Sequence, residues 1–348
     1  NMPLVVGSII LFFLLLVILF GPLWANTNAY VTSLSQLPSY DAATGISINP
    51  PLAPSLDYPL GTDAWGNDML SLLFYGARVT LIAGVVITFF RVLIGTVIGS
   101  LSGWFKGRLI DQAIMVLISV VASLPMLLSS MILVLALDIE KGVPVFIVAL
   151  TLIGWTETAQ HVRGEMQVIH TMNYIEGAEA TGLSNLQIVV RHALPNLLPY
   201  LLVFSFLEMG AVLFLMAELG FLGIFIGGGS FFALDPIFGR GAVPLVEVPE
   251  WGLLLGIGAP SLRSMPHLVW GPALAFALAI FGLNATGEGL RRLLDKSAVS
   301  TNFLLRRRML FVVLGAFVVI WLVLRATGPE LSYAQAAGAF DGARAAAD

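Results

Sequence analysis

The sequence predicts an all-α polytopic membrane protein, with a six-helix core followed by a seventh, C-terminal transmembrane helix. Hydrophobic residues make up 58% of the 348 positions and charged residues only 11%, whereas about one quarter of a soluble domain is charged. The mean hydropathy is +0.92. Apolar runs of bilayer-spanning length alternate with polar segments along the chain. Together these observations exclude an ordinary soluble domain.

Composition also excludes several classes of function. The net charge is −4, and no aromatic and basic residues are interleaved as nucleic-acid-binding segments require, so no nucleic-acid partner is expected. The chain contains no cysteine. Disulfides, thiolate zinc sites, iron–sulfur clusters and a cysteine nucleophile are therefore ruled out.

The first transmembrane helix is predicted within residues 1–25, where the apolar run ends at Trp24, a residue typical of the membrane interface. The chain begins Asn1-Met2, so we expect further residues upstream. Residues 26–78 are predicted to form an extracytoplasmic loop that ends in an amphipathic helix lying along the interface. Arg78 of that helix can reach lipid headgroups.

The core is predicted to continue over residues 79–296 with five more spans. A kink is expected at Pro125 within the third span of the chain, because proline removes a helical hydrogen bond. Residues 220–264 are predicted to be a second long extracytoplasmic loop. The five runs are 79–104, 109–137, 143–158, 197–216 and 268–290.

Basic residues predict the orientation of the spans. Lys106 and Arg108 follow the second run, and Arg191 lies between the fourth and fifth, so these connections are predicted to be cytoplasmic. Residues 297–308 form a basic cytoplasmic linker. The extra transmembrane helix is predicted at 309–324, which would place the tail, 325–348, outside the cytoplasm.

Residues 173–195, here called the coupling segment, carry the clearest local signals. Asn173 is a predicted N-cap with Glu176 three residues later, and Ser184 is another, with Gln187 three residues later. Gly182 between them can adopt the left-handed conformation that ends a helix. Pro195 prevents the second helix from continuing without a kink.

Two charged residues inside the apolar runs are candidates for the translocation path. Arg91 and Glu208 both fall within predicted spans, where a charge is costly unless it is paired or reaches water. Glu157 and Glu218 are further acidic residues in or near spans, and each is a candidate for pairing with Arg91 or for facing a cavity. The alternative is structural: Arg91 packed against a carbonyl or carboxylate, and Glu208 in an interhelical hydrogen bond.

The coupling segment resembles a known motif. Glu176-Gly-Ala, three residues, Gly182, eleven residues and Leu194-Pro195 are similar to the EAA loop of permease subunits in binding-protein-dependent ABC importers. Gly177 replaces the middle alanine of the motif, and His192 replaces an isoleucine. Further similarity, to the C-type subunit of the dipeptide/oligopeptide/nickel branch, lies in Pro59-Leu-Gly-Thr-Asp, Gly66-Asn-Asp, Tyr75-Gly-Ala-Arg, Ala122-Ser-Leu-Pro, Arg191-His-Ala-Leu-Pro-Asn and Gly220-Phe-Leu-Gly.

This resemblance implies a function in the prokaryotic inner or plasma membrane. The EAA loop would act as a coupling helix that docks on a cytoplasmic ATPase. The implied partners are two ATPase subunits that bind ATP and Mg²⁺, a second permease subunit and an extracytoplasmic solute-binding protein, with di- or oligopeptides the first expected solute and nickel or another metal complex the second. The residues implied in ATPase coupling are Glu176, Gly177, Ala178, Glu179, Gly182, Leu194 and Pro195.

Other classes of function were weighed against import. The sequence has no Gly-x4-Gly-Lys-Ser/Thr loop for a nucleotide, and no His-Glu-x-x-His or Gly-x-Ser-x-Gly motif. We therefore expect no catalytic residue, metal or cofactor in this chain. An exporter or a structural membrane subunit without a binding protein remains an alternative. The ending 340–347 resembles the first helix of extracellular zinc aminopeptidase domains, which implies a fused peptidase beyond Asp348.

Overall fold

A computed structural model gives the fold of residues 1–26, 39–41, 46–48, 51–63, 66–139, 142–226, 231–232, 243–244 and 249–296. Helices dominate this part of the chain, and two short antiparallel strand pairs lie in the connections. The helices are α1 Met2–Trp24, α2 Met69–Trp104, α3 Leu109–Ala122, α4 Met126–Ala136, α5 Val143–His170, α6 Asn173–Ala180, α7 Asn185–Ile188, α8 Leu194–Phe221, α9 Trp251–Gly258 and α10 His267–Lys296. The strands are β1 Ser39–Asp41 paired with β2 Ile46–Ile48, and β3 Phe231–Phe232 paired with β4 Val243–Pro244.

The predicted fold class, an all-α polytopic membrane protein, is confirmed. Within the described ranges, five helices are long and apolar enough to cross a bilayer, or six if α3 and α4 are counted as one broken span. Large apolar side chains cover much of the outer surface of these helices, as lipid contact requires. The predicted linker 297–308, extra helix 309–324 and tail 325–348 lie outside the described residues.

The prediction of a separate interfacial helix before the second span is wrong. A single helix, α2, runs for 36 residues from Met69 to Trp104. Asp68 begins it as an N-cap, with its carboxylate accepting hydrogen bonds from the backbone N–H of Leu70 at 3.2 Å and of Ser71 at 3.1 Å. The first turns of α2 are buried against the rest of the chain, so their amphipathic pattern reflects protein packing. Arg78 donates to the Ile18 carbonyl at 3.3 Å.

The third span is broken much more sharply than a proline kink. α3 and α4 meet at an angle of 85° across Ser123, Leu124 and Pro125. Pro125 is the N-cap of α4, where its missing N–H breaks no hydrogen bond of the helix, because the first N–H groups of a helix have no intrahelical partner. The pair therefore forms either a broken span or a re-entrant element.

The segment 220–264, predicted to be a loop, contains a buried helix. α9 and a 3₁₀ turn, Ala259–Ser261, pack their apolar residues against α2, α8 and α10. Glu250 begins α9: its carboxylate accepts from the N–H groups of Gly252 and Leu253, both at 2.8 Å, and of Ile226 at 3.2 Å. An eight-residue apolar helix is too short to be separated from a loop by hydropathy.

α2 and α5 form the most extensive helix pair of the described chain, and they run in the same direction. Gly95, Gly99 and Gly103 recur every four residues on α2, and each faces the backbone of α5 around Ala159 and Arg163 so closely that a side chain would collide with it. Small residues at this spacing allow membrane helices to pack backbone against backbone. α2 and α5 are therefore held as one unit.

Candidate coupling surface and buried charge pair

The first half of the coupling segment is helix α6 and its closing turn. Gly182 has φ +80°, and the two hydrogen bonds of a Schellman motif close the helix: Gly182 N–H to the Glu179 carbonyl at 2.9 Å and Leu183 N–H to the Ala178 carbonyl at 3.4 Å. The prediction that Gly182 adopts the left-handed conformation and ends the helix is confirmed. The N-cap is Met172, without a side-chain hydrogen bond, so the prediction that Asn173 caps this helix is wrong by one residue.

The second half contains the predicted capping box. Ser184 Oγ accepts from the Gln187 N–H at 3.5 Å, and the Gln187 side chain accepts from the Ser184 N–H at 3.0 Å. After α7 the chain does not continue as a regular α-helix. Residues Val189–Ala193 form a π-helical segment that leads into α8, with Pro195 in the first turn of α8. Pro195 has no backbone N–H and cannot donate a helical hydrogen bond, and the π-helical segment accommodates this missing bond.

One side of the coupling segment packs inside the chain. Ile175, Ala178 and Ile188 are buried together with Trp104 at the end of α2 and with the last turns of α5, including Met166. The small side chain of Ala178 therefore serves packing within this chain. Leu194 and Pro195 are half-buried at the start of α8. The coupling segment is consequently fastened to the ends of α2 and α5 and is continuous with α8.

The other side of the coupling segment is exposed. Glu176, Gly177 and Glu179 of the motif lie at the surface, and nothing lies within 4 Å of a side-chain carbon placed on Gly177 or Gly182. Large apolar side chains are exposed beside them, the most open being Leu186 at 73%; the others are Met172, Tyr174 and Val190. An apolar surface with glycines that permit close approach is suited to another protein chain.

Arg91 and Glu208, predicted as candidates for the translocation path, form an ion pair instead of lining a surface of this chain. Arg91 Nη1 lies 3.0 Å from Glu208 Oε1, and the side chains are 0% and 4% exposed. Arg91 Nε also donates to the Leu150 carbonyl at 2.8 Å, and Gly154 leaves room for the guanidinium. The pair joins α2, α5 and α8 deep in the bundle.

A second ion pair, which no sequence pattern reveals, lies near the coupling segment, with its aspartate buried and its arginine partly exposed. Arg163 of α5 binds Asp111 of α3 through two hydrogen bonds, Nε to Oδ1 at 2.8 Å and Nη2 to Oδ2 at 3.0 Å. Ser102 Oγ and the Gly107 N–H also donate to this carboxylate, at 2.6 and 2.8 Å. The α2–α3 turn is thereby fixed to α5. The only sequence signal was an aspartate in the first turn of an apolar helix.

Comparison with known proteins identifies the family. Residues 95–300 match the family described as "Binding-protein-dependent transport system inner membrane component". The chain belongs to this family. The permease is 29% identical, over 83% of its length and 84% of the relative, to the oligopeptide transport system permease protein OppC of Bacillus subtilis (strain 168).

Two further relatives come from the same group of transport systems. The dipeptide transport system permease protein DppC of Bacillus subtilis (strain 168) is 29% identical over 83% of the permease and 80% of the relative. The glutathione transport system permease protein GsiD of Escherichia coli O6:K15:H31 (strain 536 / UPEC) is 32% identical over 70% of the permease and 73% of the relative. These relatives are transport subunits and not enzymes. The family and the apolar helices make this chain a multi-pass membrane protein that works with other subunits.

Within the described part of the permease, no three histidine, aspartate or glutamate side chains lie close enough together to hold a metal ion. Three buried carboxylates have partners within the protein: Glu208 binds Arg91, Asp111 binds Arg163, and Glu250 caps α9.

Proposed function

We propose that this chain is a permease subunit of an ATP-driven importer of di- or oligopeptides and forms half of the translocation path with a second permease. Two of the relatives carry oligopeptide and dipeptide in their names, and a third carries glutathione, which is itself a peptide. The observation that carries the proposal is the coupling segment, a two-helix element with an exposed apolar surface on one side and the ends of α2 and α5 on the other.

The coupling segment has the form that a mechanical connection needs. Its inner side is buried against α2 and α5, so a displacement of α6 and α7 must displace those helices as well, because packed interiors have little free space. Its outer side offers Leu186 and Gly177 to a partner. In the proposed complex this partner is a cytoplasmic ATPase subunit, and two such subunits bind ATP and Mg²⁺. The coupling segment then lies in the cytoplasm.

The other proposed partner is an extracytoplasmic solute-binding protein, which delivers the peptide at the opposite end of the bundle. There the chain has its two long connections, before α2 and between α8 and α9. The start of α2 is fixed by a compact turn in which Asp63 accepts from the Asn67 N–H at 2.8 Å and the Asn67 amide at 2.9 Å. A fixed turn of this kind provides a defined surface at the membrane boundary. In this proposal the permease lies in a prokaryotic inner membrane.

The test is purification of the permease alone and with the subunits that co-purify with it. The permease alone should hydrolyse no ATP, and the complex should hydrolyse ATP faster when a peptide-loaded binding protein is added. Hydrolysis that stays with the permease after removal of contaminants would contradict the proposal, and so would a complex without any ATPase chain.

A matched pair of variants tests the docking surface. Leu186→Asp should remove the ATPase subunits from the complex, because it places a charge in the middle of an apolar contact. Leu109→Asp makes the same change at a side chain that is 83% exposed, at the start of α3 near the same end of the bundle, and should leave the complex intact. If both variants retain their ATPase subunits, the coupling segment is not the docking surface.

A further inference from the structure

α5 carries an exposed polar surface that begins at the end of the predicted span, 143–158, and continues over the next two turns towards the coupling segment. Glu157, Gln160, His161 and Gly164 are all exposed, and together they are called here the inner polar face. An ionisable side chain within a membrane-spanning helix normally faces a water-filled cavity or another polar group, because lipid cannot solvate it. α5 is also the least apolar of the five spans, with a mean hydropathy of 1.3 over its most apolar window.

The inner polar face lies on a different side of α5 from the apolar exposed residues. Successive residues of an α-helix are rotated by about 100°, which puts Glu157 and His161 roughly opposite Leu152. Val148 and Leu152 are exposed and apolar, as lipid contact requires. α5 therefore has two separate exposed surfaces: an apolar one around Val148 and Leu152, and a polar one over residues 157–164, which the exposed Val168 follows towards the coupling segment.

The neighbouring helix α8 adds aromatic side chains beside this face. The His161 ring lies 5.0 Å from the ring of Phe204, and Tyr200 stacks on Phe204 with ring centroids 6.1 Å apart. The faces of aromatic rings attract cations, as carboxylates do. Glu157 is close enough to Arg91 and Glu208 to interact with both electrostatically. Those two residues form a pair with each other, so the exposed Glu157 carboxylate is an acidic group at this surface, and Glu165 lies close enough to Tyr200 to act on it electrostatically.

We infer that the inner polar face lines the water-filled translocation path in its cytoplasmic half and there binds the ammonium group of the transported solute. This inference rests on the proposed function, which supplies the second permease on the far side of the path and the orientation of α5. The ammonium lies between the Glu157 carboxylate and the half-buried ring of Tyr200, whereas Phe204 is buried against Tyr200 and His161. The binding is weak and transient, because a carboxylate exposed to water attracts a cation only modestly, and weak binding lets the solute leave.

Water access is tested first, with single cysteines in a chain that has none of its own. Gly164→Cys fits without collision, since nothing lies within 4 Å of a side-chain carbon at that position. Leu152→Cys, on the apolar side of the same helix, is the control. In membrane vesicles that hold the complete complex, charged methanethiosulfonates added from the coupling-segment side should modify Gly164→Cys at least about tenfold faster, since a charged reagent does not enter lipid. Equally slow modification of both would overturn the inference, because the face would then be covered by another chain.

The charge of the face is tested with Gln160→Cys, one helical turn from Glu157. A cationic and an anionic methanethiosulfonate should differ in rate by about tenfold more at this thiol than at a free thiol, given a unit charge about 6 Å away in water. Adding Glu157→Gln should return the ratio to that of a free thiol. A ratio that does not respond to Glu157→Gln would overturn the electrostatic part of the inference.

Solute binding is tested by protection during ATP turnover. Trialanine supplied with the binding protein should slow the modification of Gln160→Cys, and N-acetyl-trialanine, which lacks the ammonium, should not. Equal protection by both peptides would overturn the ammonium assignment. If the complex transports neither peptide, the proposed function fails, whereas the comparison of Gly164→Cys with Leu152→Cys still reports whether the face is in contact with water.

Discussion

The ion pair between Arg91 and Glu208 allows a quantitative prediction about stability. Arg91→Met leaves the Glu208 carboxylate at 4% exposure without its cation. Glu208→Leu leaves the guanidinium with the Leu150 carbonyl as its hydrogen-bond acceptor among the described residues. Removing one partner of a buried ion pair costs about 3–5 kcal/mol, because the remaining charge is uncompensated. We expect each single substitution to lower the free energy of unfolding by about this amount.

The double variant, Arg91→Met with Glu208→Leu, should recover most of that loss. No uncompensated charge remains, and replacing both partners of a buried pair by apolar residues is often close to neutral. The free energies of unfolding can be measured by SDS titration of the purified permease in mixed micelles. Arg78→Met is the control, since Arg78 donates to the Ile18 carbonyl and has no ion-pair partner in the described chain, and it should cost only about 1 kcal/mol.

Two results would refute this reasoning. Single substitutions that each cost less than about 1 kcal/mol would mean that water reaches the pair, because a solvated pair contributes little. A double variant that costs the sum of the two singles would mean that the side chains are not coupled.

A separate measurement concerns transport: if Glu208→Gln leaves uptake unchanged at normal expression, Glu208 has no role in the path.

Three further predictions concern backbone and charge. Gly99→Leu should lower the free energy of unfolding by at least about 1–3 kcal/mol, because the new side chain collides with α5. Gly177→Ala, in open space on α6, should raise the free energy of unfolding by up to about 1 kcal/mol. Equal effects of the two substitutions would contradict the close packing of α2 on α5. Gly182→Val should cost about 1–2 kcal/mol because φ is +80°, measured by the same titration. Burial raises the pKa of Glu250 from 4.5 to about 7, so stability present below pH 4.5 should be lost as the pH rises through about 7. Thermal unfolding of the purified permease at a series of pH values measures this loss. Glu250→Gln should make the unfolding temperature less dependent on pH.

Local signals in the sequence were sufficient to predict the features that depend on neighbouring residues. The apolar runs identified the spans, and the Ser184–Gln187 box and the glycine turn at 182 are present as predicted. Each of these features is decided within about four residues by capping or by φ preference. Even here, the start of α6 differs by one residue, since Met172 is the N-cap and helix ends are the least well determined part of a helix.

Features that depend on distant residues could not be derived. Arg91 and Glu208 were recognised as costly charges, but their pairing joins positions 117 residues apart. Asp111 and Arg163 are separated by 52 residues, and neither was singled out. The inner polar face was predicted only in part: Glu157 was a candidate for facing a cavity, but only the packing of α5 shows that His161 is exposed on the same side. Exposure within a span is a property of the folded bundle.

These contacts together determine how a displacement of the coupling segment would be divided within the proposed transporter. The glycine stripe holds α2 and α5 together as one unit, and Ile175 with Ile188 fastens the coupling segment to that unit. α8 is connected to the same segment through the π-helical residues 189–193, where the hydrogen-bond register is irregular. Deeper in the bundle, the Arg91–Glu208 pair ties α8 back to α2. Between these two connections, Leu197 and Leu201 of α8 are buried in the same cluster as Ile175 and Ile188, so a displacement of the coupling segment should move α8 together with α2 and α5.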